Sequence, residues 1–113
     1  MDAHIRAAVE DIYGYLARGE YDALARKTGG VRLGAAEIER AVRDYRFTIA
    51  AWPHAGDLPI DVVEVNDASP RAWSVQATAY TLEEGRSDLT LEMTLVEIEA
   101  GQVRVELDNL HVL

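Results

Sequence analysis

Ile5, Val9, Ile12 and Leu16 recur at intervals of four, three and four, which places them on one stripe of a helix over residues 2 to 18. Asp2 is its expected N-cap and Gly19 its stop. Tyr21 and Leu24 mark a second, short helix that Gly29-Gly30 closes through a left-handed turn. A third segment, residues 35 to 45, gathers Ile38, Ala41, Val42 and Tyr45 on one face. From Trp52 the pattern changes. The stretch Pro53-His54-Ala55-Gly56-Asp57-Leu58-Pro59 is punctuation, and after it apolar positions alternate, predicting strands near 60–66, 72–82, 87–98 and 102–112. Helices first and strands last imply an α+β fold in one domain, 1–113, with a helical part (1–46) on one face of a curved antiparallel meander (60–113).

The turns Glu83-Glu84-Gly85 and Glu99-Ala100-Gly101 place glycine third, as a three-residue hairpin with a left-handed last residue requires. This pairs Leu82 with Arg86 and Ile98 with Gln102. The rows that follow are Trp73, Leu95, Val105; then Val75, Met93, Leu107; then Ala77, Leu91, Asn109; then Ala79, Leu89, His111. A slip of one residue would send every core side chain to the wrong face.

In that register one end of the core face is small and polar. Ala77 and Ala79 lie beside Asn109 and His111, and Asp61 joins them if Val63 and Val65 face inward. Tyr13 or Tyr15 would reach in from the first helix. Small residues with convergent polar groups describe a pocket, in which Asp61 and His111 would be an acid/base pair and Asn109 a hydrogen-bond donor. The competing reading is that His111 and Asp61 are simply hydrogen-bonded residues at a fraying strand end.

The opposite sheet face aligns Gln76, Glu92 and Asp108 next to Ser74, Thr94 and Glu106, with Glu64 near. Such carboxylates either bind a hard cation or are solvated; the alternation favours solvation and no metal site is expected. Tyr80, Val96, Ile98 and Leu110 belong to the same face, with Thr78, Thr90 and Val112. So much apolar and β-branched surface suggests a homodimer or a partner there. At the hairpin tip Arg86 is expected to pair with Glu83 or Asp88. Trp52 is expected to seal the core edge, and His4 to lie on the surface.

Composition narrows the partners. Twenty acidic residues against eleven basic ones give a net charge of −9, which repels phosphate backbones and anionic membranes, so no nucleic acid and no membrane is expected. There is no cysteine, and no stretch has the length of a membrane span or the layout of a signal peptide, so a cytoplasmic location is expected. The abundance of arginine and alanine suggests a GC-rich bacterial source. Walker, G-x-G-x-x-G, H-E-x-x-H and G-x-S-x-G motifs are missing, and no cofactor is expected.

The piece Leu16-Ala17-Arg18-Gly19-Glu20-Tyr21-Asp22-Ala23-Leu24, followed by a third helix and the meander, resembles the nuclear-transport-factor-2-like (cystatin-like) superfamily. Arg71-Ala72-Trp73-Ser74-Val75, the stretch from Glu83 to Leu91 and the stretch from Leu107 to Leu113 are similar to an uncharacterised bacterial domain family of unknown function. The superfamily implies a conical fold, a pocket against the concave sheet face, and dimers through the other face. Its isomerases and cyclases use pocket carboxylates with a tyrosine or histidine; this chain is shorter and has no acid at a mid-pocket position, so no catalytic role is carried over. The expected function is a small acidic non-enzymatic module binding a small ligand or a protein, with a basic toxin neutralised by an immunity protein as one example. The alternative is an isomerase-, cyclase- or hydratase-like enzyme using Asp61 and His111.

Overall fold

In a computed structural model, residues 3–29, 33–45, 48–50, 60–99 and 102–112 are described. Three helices, α1 (Ala3–Arg18), α2 (Tyr21–Lys27) and α3 (Ala35–Tyr45), precede β1 (Ile49–Ala50), β2 (Ile60–Glu64), β3 (Ala72–Thr81), β4 (Gly85–Glu99) and β5 (Gln102–Val112). The helices pack against a strongly curved antiparallel half-barrel, an arrangement consistent with the nuclear-transport-factor-2-like layout. The α+β expectation holds. No helix among the described residues is long and apolar enough to cross a membrane.

Local chemistry accounts for the helix boundaries. The stripe Ile5, Val9, Ile12 and Leu16 is buried, together with Tyr13, and each such aliphatic side chain contributes roughly 1.5–3 kcal/mol of transfer free energy. Gly19 adopts φ +69°, its N–H donates to Leu16 at 3.2 Å, and the N–H of Glu20 donates to Tyr15 at 3.0 Å. These are the two bonds of a Schellman stop, and they turn the chain into α2. Gly29, at φ +77°, ends α2 similarly. The expected cap Asp2, the second glycine Gly30 and the aromatic hinge at Trp52 lie outside the described residues.

The sheet runs β1-β3-β4-β5, with β2 also pairing β3. Trp73, Leu95 and Val105 share a row, and Val75, Met93 and Leu107 the next, as the hydrophobic pattern predicts. Ala77 still pairs with Leu91 as expected, but β5 leaves the straight register after Leu107 and β3 leaves it after Thr78. At the first hairpin Thr81 pairs with Gly85, not Leu82 with Arg86, and Leu82 is 69% exposed. The side chain of Arg86, and so its expected ion pair, lies outside what is described. At the second hairpin Glu99, not Ile98, pairs with Gln102, and Ile98 sits at the irregularity. β1 was not expected from the sequence, because two residues carry no periodicity.

Candidate functional site

The small-residue end of the core is occupied by the protein itself. Ala77 and Ala79 are buried, and Tyr13 is completely buried with its hydroxyl donating to the carbonyl of Thr78 between them. Among the described residues β2 pairs β3 up to Ala77 and β1 pairs it from Tyr80, so Thr78 falls in the gap between them on the side its carbonyl faces, and that carbonyl is open to the phenol. The alanines therefore make room for a phenol ring of α1. Beside them the Ser87 hydroxyl donates to the carbonyl of Ala79 at 2.8 Å and accepts from the N–H of Leu89 at 3.2 Å, filling the gap in the ladder.

Asn109 and His111 do not join this end. Glu92 pairs with Asn109 and Met93 with Leu107, so Asp108 is an extra residue in β5 and every later side chain changes face. Leu110 takes the core position opposite Leu91 and is 5% exposed, which corrects its expected place on the outer face. His111 sits opposite Thr90 and Asn109 opposite Glu92, both in outer-face rows. Asp61 is also displaced. Ile60 pairs with Ala77 and Val62 with Val75, so Asp61, opposite Gln76, and Val63 turn outward. Asp61 and His111 stand on outer strands of β2-β3-β4-β5, three interstrand steps apart, or roughly 14 Å along the sheet. The structure does not bring them together as an acid/base pair.

Glu92 is the partner His111 meets. Its Oε2 lies 3.4 Å from Nε2 of His111, and its Oε1 accepts from Nε2 of Gln76 at 3.1 Å. Thr94 Oγ1 donates to Asp108 Oδ2 at 2.7 Å. The outer face thus carries Asp61, Glu92, Glu106 and Asp108, of which Glu106 accepts from Arg104 at 3.3 Å. Tyr80 and Val96 are half-buried there and Val63 is 65% exposed, whereas Ile98, 57% exposed at the irregularity in β4, lines the groove beside α1 and so leaves its expected place on the outer face. Glu64 does not belong to this set: it pairs in register with Trp73 and meets Arg71 through two bonds of 3.0 Å. Arg71 lies 5.0 Å from the Trp73 ring, and it holds the Glu64 carboxyl below the usual carboxylate range. Among the described residues no group of three His, Asp or Glu side chains is placed to hold a metal ion.

The first hairpin tip is latched to the helical layer. Glu83 accepts from the N–H and the hydroxyl of Thr48 at 2.8 and 3.0 Å, and the backbone bond above all keeps its carboxyl low. Tyr45 donates to Glu84 at 3.0 Å and accepts from the N–H of Asp88 at 3.1 Å. Two open grooves flank the sheet. One, of about 400 Å³, lies between α3 and the ends of β4 and β5, with Arg40, Tyr45, Leu89, Leu110 and His111 in its lining. The other, of about 470 Å³, lies between α1 and β5, lined by Ala7, Ala8, Ile98, Val103 and Val105 with the polar His4, Asp11 and Lys27. Nothing in the sequence pointed to the grooves, which depend on helix placement.

A family model described as a domain of unknown function matches residues 13–113. No curated protein and no solved structure matches the chain.

Proposed function

The chain belongs to that family, DUF7668, and we propose that it is a non-enzymatic protein-interaction module whose outer sheet face takes a positively charged protein partner. One observation carries this reading: no described helix covers the outer face of β2 to β5, which carries Asp61, Glu92, Glu106 and Asp108 with exposed Val63 at its margin. A rim of carboxylates in a protein of net charge −9 steers a basic surface toward it, and the Val63 side chain supplies apolar area that is released from water on contact. The other face supports a small-ligand reading less well, because Tyr13 fills the end where a pocket was expected.

The test is capture from the lysate of the encoding organism, followed by reconstitution with the purified captured protein and calorimetry. Glu92→Lys combined with Asp61→Lys should weaken binding at least about tenfold, the free energy of one or two close charge pairs, and binding should fall as salt rises. Asp22→Lys, on the exposed surface of α2, should change it little. Equal weakening by all three substitutions, or a partner without a basic surface, contradicts the proposal.

A further inference from the structure

The groove between α3 and the ends of β4 and β5 holds about 400 Å³, within the roughly 300–1,000 Å³ of small-ligand sites. It is separate from the end that Tyr13 fills, since neither Tyr13, Ala77 nor Ala79 lines it. Its walls include Leu33, Ala41 and Tyr45, each half-buried and so presenting surface to a ligand, with a floor closed by the buried Leu89 and Leu110. The Tyr45 hydroxyl is held from two sides, donating to Glu84 and accepting from the N–H of Asp88, which fixes its ring. One wall is thus a preset aromatic surface.

Two opposite charges line the same groove with their bonding capacity unused. Arg40 and Asp44, both exposed, are four residues apart on α3, so their side chains start about 5–6 Å from each other. Glu39 and Arg43, at the same spacing one residue earlier, form an ion pair of 2.5 Å. Arg40 and Asp44 stand in the reverse order, basic residue first, which is the weaker arrangement on a helix. Neither side chain makes an ion pair or a hydrogen bond among the described residues. A guanidinium and a carboxylate are left side by side, one able only to donate and the other only to accept.

We propose that this groove binds a free α-amino acid with an aromatic side chain, its carboxylate taken by Arg40, its ammonium by Asp44 and its ring laid against Leu33, Ala41 and Tyr45. Guanidinium and carboxylate match as a two-bond fork, and the ammonium on the same carbon donates to Asp44. Charge selects the zwitterion over its simpler relatives. A carboxylate alone would meet Glu37 and Asp44 in the lining of a protein of net charge −9, and an ammonium alone would meet Arg40. The zwitterion carries no net charge and gives each of the two side chains its opposite. None of Asp61, Glu92, Glu106 and Asp108 lines this groove, so the inference stands independently of the function proposed above.

Titration of the full chain with L-phenylalanine, followed by calorimetry and by backbone-amide NMR, tests the site. Saturable binding is expected, with amide shifts gathered at Leu33, Ala41 and Tyr45. Arg40→Ala and Asp44→Ala should each weaken it about tenfold or more, whereas Arg43→Ala, which breaks the ion pair of α3 outside the groove, should leave it within about twofold. These positions are all exposed, so the fold does not rest on them. On the wild type, phenylpropionate, which lacks the ammonium, and phenethylamine, which lacks the carboxylate, should each bind about tenfold more weakly than L-phenylalanine, a comparison that misfolding cannot produce. A wild type without saturable binding, either analogue binding as tightly as the amino acid, equal weakening by Arg43→Ala, or shifts gathered at the α1 groove instead would each overturn the inference.

Discussion

The hydroxyl of Tyr13 on α1 donates to the carbonyl of Thr78 on β3, 65 residues on in the chain. This bond ties the helical layer to the sheet where Ala77 and Ala79 leave space for the ring, so helix and strand are fitted to one another by size and by polarity at one point. Tyr13→Phe removes the donor and leaves a shielded carbonyl unpaired, at an expected cost of about 1–2 kcal/mol. Tyr13→Ala empties the site and should cost about 3–5 kcal/mol, a large part of the stability of a domain this size. Urea unfolding of both variants measures the difference.

Leu110 and His111 exchange the roles that a straight strand would give them. With Asp108 as the extra residue, Leu110→Ala should cost about 2–5 kcal/mol as a core truncation. His111→Ala removes a half-exposed contact with Glu92 and should cost less than about 1 kcal/mol. Thermal melts of the two variants decide the register, since a continuous ladder to the C-terminus would reverse the order.

Overpacking tests the same fit from the other side. Ala77→Leu inserts a branched side chain into a core already closed by Tyr13, and a loss of about 1–3 kcal/mol is expected in denaturant titration. A stabilised variant would mean that space remains between α1 and β3.

Much of this was legible in the pattern of apolar positions. The buried stripe of α1, the boundaries of α3 and the first two rows of the sheet follow from period and turn residues alone. The site was misplaced for a reason that the sequence also contains. Val103, Val105 and Leu107 are odd-numbered whereas Leu110 and Val112 are even, and the polar pair Asp108-Asn109 stands where the parity changes. A change of parity across two polar residues is the signature of a bulge. Reading past it placed His111 and Asn109 with the alanines and Leu110 outside. Tyr13 was named as a residue reaching into that end, and what spacing could not show is that its ring fills the volume completely.

Glu83 and Glu64 give the acid side of stability a definite sign. Thr48 holds the first carboxyl below its ordinary range and Arg71 the second, so each binds fewer protons folded than unfolded. Their contribution is full above the ordinary carboxylate range and is lost as pH falls through the lowered values. The double variant Glu83→Gln, Glu64→Gln should be less stable than wild type at neutral pH and converge with it in acid, as denaturant midpoints against pH will show. Lys27 has the opposite sign. The bond from its ammonium to Asp11, 2.8 Å long, raises its pKa, so that contribution is present below the ordinary lysine range and fades as alkaline pH passes the raised value.

Hydroxyl-radical footprinting of the complex with the captured partner bears most directly on the outer face as the binding surface. Tyr80 and Val63 should lose reactivity on binding, while Leu33 and Tyr45 beside the α3 groove keep theirs. Protection confined to Leu33 and Tyr45, with the outer face as reactive as in the free chain, would contradict the proposed function.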